Sequence, residues 1–175
     1  MPKLRKMLGN VNDSVILSLM GLIETQSAMT LAEWSLDYVE EYVLDIYERD
    51  YPGERSVRGA IAAAREYLAG QKTQQEIKAI IKEMNRTARD VESTPAAQAA
   101  VRAVSTACAT VYLPTSALGY TFYAAAALVY DQAGILEKQE VYDAMAKEEF
   151  HRMLASLRAA AVPNEKNPVK INWYC

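Results

Sequence analysis

Apolar residues recur along this chain at intervals of three and four almost from end to end, the spacing that turns one face of an α-helix towards a core. After the polar turn at Gly9–Asp13, Val15, Ile16, Leu19, Met20 and Ile23 form the first such stripe. Thr30-Leu31-Ala32-Glu33 has the S/T-x-x-E form of a capping box, in which Thr30 accepts a backbone N–H and Glu33 reaches back to the cap residue. It predicts a helix from Thr30 to about Tyr51, stopped by Pro52-Gly53. A third helix covers about Ser56 to Leu68 and ends at Gly70, which suits the left-handed residue after a helix. Thr73-Gln74-Gln75-Glu76 repeats the capping box and opens a helix to about Val91. Ser93-Thr94-Pro95 supplies a cap and a first-turn proline, and the helix from Pro95 runs to about Tyr112, where Pro114 breaks it. Another helix runs from Thr115 or Ser116 to about Gln132, closed by Gly134, and a last one covers about Glu137 to Ala161.

Strand-type alternation is nearly absent, and the connections are short, which favours antiparallel neighbours. The expectation is an all-α, single-domain bundle over residues 1–175, with about seven helices around a central uncharged hairpin. Residues 162–175 read as an irregular tail because of Pro163, Asn164, Asn167 and Pro168, with Ile171, Trp173 and Tyr174 able to dock it on the body. A chain of this length buries about 70% of its unfolded surface, so it needs no disulfide or metal staple.

The hairpin is the most distinctive stretch, with no charged residue from Ala103 to Tyr130. Pro114 divides it, and its content is Ala, Thr, Ser and Tyr more than Leu, Ile and Phe. Neither half reaches the roughly 20 strongly apolar residues of a membrane-spanning helix. A helix apolar on every side is instead surrounded by other helices. Gly119 and Ala124–Ala127 let backbones approach, and Tyr112, Tyr120, Tyr123 and Tyr130 supply buried area with hydroxyls that need partners.

A net charge of −3 argues against general nucleic-acid affinity, which needs a basic excess. Cys108 and Cys175 have neither metal-type spacing nor the pattern of a disulfide framework, so the chain reads as cytoplasmic. Lys3, Arg5 and Lys6 are followed by a polar turn in place of an apolar segment, unlike a signal peptide. Candidate chemistry is sparse. Glu148 and His151 have the E-x-x-H spacing of helical metal sites, but one histidine cannot assemble the di-iron carboxylate set. No Gly-rich phosphate loop occurs, and His151 is the only imidazole available to activate a Ser or Cys. No metal or cofactor is expected. A small-molecule- or metal-dependent enzyme, using a pocket beside the hairpin or Glu148/His151, is the alternative reading.

Charge is distributed unevenly. From Glu33 to Glu54 there are eight acids and one base, Arg49, whereas Arg58 to Arg89 holds seven bases and three acids. Asp37, Glu41, Asp45 and Glu48 step by four, four and three, so they share one helix face, although like charges at that spacing repel. Two readings follow: the acidic face pairs with the basic region or faces water, or it docks a basic partner.

The stretch Leu31-Ala32-Glu33-Trp34-Ser35-Leu36-Asp37-Tyr38-Val39-Glu40, continued to Tyr51-Pro52, together with Arg58–Gly70 and Leu113–Gly119, resembles the bacterial immunity proteins of the immunity-protein-five-like type. Trp34, Asp37, Pro52, Arg58 and Gly70 carry the likeness, which extends over about residues 3 to 133. The resemblance implies an all-α intracellular protein that binds and neutralises a protein toxin without catalysis. The chain departs from the pattern where an Arg-Pro-Arg run is replaced by Ser56-Val57-Arg58, and where two hairpin histidines are replaced by Tyr112 and Ser116. The motif residues also have a structural reading, with Trp34 as a core anchor and Asp37 either paired with Arg58 or capping a neighbouring helix. Homo-oligomerisation is left open by the sequence.

Overall fold

A computed structural model of the chain, describing residues 3–173, turns each apolar stripe into a helix. The helices are α1 (Ser14–Ile23), α2 (Ala28–Tyr38), α3 (Leu44–Asp50), α4 (Ser56–Leu68), α5 (Gln74–Asp90), α6 (Pro95–Ala109), α7 (Ser116–Ala133) and α8 (Gln139–Ala160). A π turn at Val39–Val43 joins α2 to α3 in one continuous rod, so the described residues form seven rods in an all-α bundle. The only extended pairing among them is an isolated antiparallel bridge between Ser27 and Pro168.

The uncharged hairpin is the centre of the bundle. Its arms, α6 and α7, make the most extensive contact of any two helices, and α6 also touches α3, α4 and α5. Small side chains permit this closeness: Ala124–Ala127 are fully buried, and a Cβ added to Gly119 would stand 3.4 Å from the Thr106 methyl group. No described helix is long and apolar enough to cross a membrane. The four hairpin tyrosines divide. Tyr120 and Tyr130 are buried, but Tyr112 and Tyr123 are only half-buried. Tyr112 falls in the turn after α6, where the Lys78 ammonium lies over its ring, 5.5 Å from the centroid. Cys108 is buried in the core, which pushes its thiol up to about 12.

The helix ends show local chemistry at work. At α5, Thr73 and Glu76 form the reciprocal capping box. At the end of α4, Gly70 takes φ +78°, with Gln71 N–H donating to Glu66 O and Gly70 N–H to Tyr67 O, a Schellman motif. Two predicted caps are different. The cap of α2 is Ser27, whose hydroxyl accepts Thr30 N–H at 3.2 Å; Thr30 lies inside the helix and Glu33 does not reach back. The carboxylate that completes this cap is Glu165, from the tail. At α6, Thr94 occupies the cap position, but its hydroxyl pairs with Tyr51 Oη at 3.1 Å and caps nothing.

Both terminal segments are fastened to the bundle. Residues after α8 are irregular, as expected, and run back over the turn between α1 and α2. Val169 N–H donates to Gln26 O at 2.8 Å, while the Gln26 amide exchanges hydrogen bonds with the backbone of Val162. Ile171 and Trp173 pack against the core, and Trp173 Nε1 donates to Glu24; Tyr174 and Cys175 lie outside the described residues. At the other terminus, Leu8 N–H donates to Phe122 O at 3.2 Å, and Tyr130 Oη donates to Arg5 O at 2.6 Å. Gly9 makes this approach possible, since its φ is +123° and a Cβ there would lie 2.6 Å from the Phe150 ring.

Candidate functional site

The acidic rod carries the first surface of interest. In an unbroken α-helix, positions 33, 37, 41, 45 and 49 would drift by about 40° per step, roughly 160° in all. The π turn inserts one residue, with Leu44 N–H donating to Val39 O, and takes back roughly 100° of that drift. Glu33, Asp37, Glu41, Asp45 and Arg49 consequently all remain exposed, while Val39, Val43 and Leu44 stay in the core. The turn also pushes three consecutive residues, Glu40, Glu41 and Tyr42, out to solvent.

Beside this rod runs a groove of about 440 Å³, with α2 and the π turn as one wall and the last turn of α8 as the other. Small Ala159 and Ala160 on the α8 side leave room opposite three aromatic rings of the rod. Trp34, Tyr38 and Tyr42 are spaced by four and form a ladder from interior to surface. The Trp34 and Tyr38 rings are 6.3 Å apart, and those of Tyr38 and Tyr42 are 4.8 Å apart. Trp34 also meets Tyr120 of the hairpin edge-on at 5.2 Å, so the ladder is rooted in the core. Its indole Nε1 donates to Ser156 Oγ at 2.7 Å, which ties α2 to α8 across the floor. Tyr42 is 48% exposed, which leaves the top ring available to a ligand. Glu33, Asp37 and Glu41 stand along the groove's edge.

A buried carboxylate lies close by. Glu149 is only 6% exposed; burial raises its pKa, and the Arg152 guanidinium that donates to it opposes the rise. Burial and the charge of Glu149 together hold the Tyr38 phenol well above its usual value, so it stays protonated. The E-x-x-H spacing draws attention to the neighbours of Glu149, whereas the stripe Tyr142, Ala146, Glu149, Met153, Leu157 is the sequence signal that points Glu149 inward. Glu148 and His151 are exposed on the other side of α8. Among the described residues no three His, Cys, Asp or Glu side chains converge as metal ligands.

The predicted acidic residues are separated by this geometry. Asp37 and Glu41 line the groove, Asp45 lies farther along the rod, and Glu48 sits at the junction with α4. Two arginines of α4 meet the rod, and a third, Arg49, belongs to it. Arg65 bridges Asp37 at 2.9 Å and Glu40 at 2.5 Å; Arg58 holds Glu48 at 2.5 Å; Arg49 holds Asp131 of α7 at 2.9 Å and Asp45 at 3.5 Å. Asp37 therefore pairs with Arg65 and not with Arg58, because Arg58 stands about two turns earlier in α4, nearer the α3–α4 turn and opposite Glu48. Glu33 and Glu41 have no ion-pair partner among the described residues. An aromatic wall with a carboxylate edge suits a cation on an apolar stem, such as an Arg or Lys side chain of a partner.

No curated protein and no solved structure matches this chain. A sequence model of one family does, over residues 21–156, from the last turn of α1 to the turn of α8 that bears Ser156. That span contains the acidic rod, the aromatic ladder and the central hairpin. The chain belongs to the Imm-5 like putative immunity protein family.

Proposed function

We propose that this protein is a non-enzymatic immunity protein that binds and neutralises a cognate toxin, docking a basic segment of it in the groove between α2 and α8. The observation that carries this reading is the ladder Trp34–Tyr38–Tyr42 beside Glu33 and Glu41, two carboxylates that no described cation neutralises in an ion pair. The rings supply a rigid contact area with a cation–π face, and the carboxylates supply charge complementarity that speeds and selects association. Family membership supports a protein partner. Asp37, Glu41, Asp45 and Glu48 are assigned to the partner-facing surface, with Asp37 and Glu41 at the groove itself. No cofactor takes part.

The test uses the product of the neighbouring reading frame as the candidate toxin. Co-expression with this chain should restore growth, and D37K/E41K should weaken both rescue and co-purification by about tenfold or more while helical content persists. The fourfold reversal D37K/E41K/D45K/E48K should weaken them further. Unchanged binding of the fourfold variant in low salt would remove the acidic face from the function.

A further inference from the structure

A second concave site shares no residue with the groove. Lys3, Arg5 and Lys6 of the N-terminal arm, Arg89 from the last turn of α5 and Arg102 of α6 line a cleft of about 490 Å³ against Tyr130. Glu92 is the one acid in its lining. We propose that this cleft binds the phosphate group of an anionic ligand.

Three observations support it. Arg49, Arg58, Arg65, Arg86 and Arg152 each hold a carboxylate, whereas none of the five cleft cations makes an ion pair among the described residues. Gathering unpaired like charges costs folding energy, and an anion in their midst removes that cost. The arm is also held in place: Tyr130 grips the Arg5 carbonyl, and Leu4 packs on the core, so the backbone that bears three of the cations is fastened beside the cleft. Finally, Pro95 at the start of α6 lies in the lining, and no side chain caps that helix, which leaves its positive end open to an anion.

Phosphate chemistry fits better than base recognition. The one aromatic ring in the lining, Tyr130, is packed edge-on against Tyr142 at 5.1 Å and its hydroxyl is spent on Arg5, so no ring is offered for stacking. Two sources could bring a phosphate. Lys3 and Leu4 also line an adjoining recess with Ile135 and Leu136, and Leu136 is 79% exposed, an arrangement that would let an anionic lipid headgroup enter the cleft while these apolar residues meet the bilayer. A soluble polyphosphate needs the cleft alone.

Calorimetry of the full chain with inorganic triphosphate at low salt should give one saturable site. R89Q/R102Q should weaken it by about tenfold or more, and R158Q/K166Q, an equal charge change outside the cleft, should leave it intact. K3Q/K6Q, on the exposed arm, should weaken it as well and provides a variant that leaves the bundle untouched. Vesicles of phosphatidylcholine with phosphatidylglycerol, against phosphatidylcholine alone, separate the sources. Co-sedimentation lost in both R89Q/R102Q and I135S/L136S assigns a lipid headgroup, and triphosphate binding without co-sedimentation assigns a soluble ligand. Absence of both, or equal weakening by R158Q/K166Q, overturns the proposal.

Discussion

Glu165, in the C-terminal tail, caps the helix that begins after Ser27: its Oε2 accepts the Ser27 N–H at 2.9 Å and its Oε1 accepts the Ser27 hydroxyl at 2.7 Å. The same Oε1 accepts the Thr30 hydroxyl at 2.5 Å. In an ordinary capping box the third residue of the helix returns a carboxylate to the cap N–H. Here a residue at the far end of the chain does so, and it fastens the tail beside the groove.

Glu165→Ala should therefore lower stability by about 1 kcal/mol, the usual cost of a lost cap, and expose the tail to proteolysis. Its pH signature is specific. Burial works against ionisation of Glu165, but the hydrogen bonds from Thr30 and Ser27 outweigh it and hold the carboxyl below its usual range. With the folded value depressed, its stabilisation is complete above the unfolded value of about 4.3 and is lost as pH falls through the folded one. Thermal melts of Glu165→Gln should show a lower Tm at neutral pH and a difference from the native chain that shrinks in acid. A difference constant across that range would refute the assignment.

The family-motif residues should separate by burial. Arg58 and Glu48 form a surface bridge, with the arginine side chain 47% exposed, so Arg58→Ala should barely move a urea midpoint. Trp34 is 4% exposed and hydrogen-bonded to Ser156, so Trp34→Ala should cost about 3–5 kcal/mol. Comparable losses in the two variants would contradict the surface character of the bridge.

Two buried tyrosines of α7 should respond oppositely to loss of the hydroxyl. Among the described residues, Tyr120 Oη is the one buried side-chain polar atom without a hydrogen-bond partner; the nearby Ser35 hydroxyl donates to Leu31 O. Tyr120→Phe should be neutral or stabilising, because it removes a desolvated group that gains nothing in return. Tyr130→Phe gives up the bond to Arg5 O and should cost about 1 kcal/mol, while loosening the N-terminal arm. Equilibrium denaturation of both variants decides this, and a clear loss in Tyr120→Phe would show that its hydroxyl has a partner after all.

By itself the sequence determined whatever depends on neighbours three or four residues away. The apolar stripes set the helices, Pro52 and Pro114 set their breaks, Gly70 set a left-handed end, and Thr73 with Glu76 set a cap. The absence of charge between Ala103 and Tyr130 marked the hairpin that became the core, because a helix with no polar face has to be enclosed. The Trp34 region was also legible as a family motif. What tertiary structure decided were the pairings between segments distant in sequence. Local spacing offered Thr30–Glu33 as a cap, and the motif residues offered Asp37–Arg58 as an ion pair, yet Glu165 and Arg65 took those places once the tail and α4 had packed. The π turn was invisible because nothing in the sequence pattern distinguishes it from an α-turn, and packing alone decides whether one extra residue keeps Val39 and Leu44 in the core. Groove and basic cleft belong to this second class: each is built by surfaces from separate segments, and a space between segments exists only after they have met.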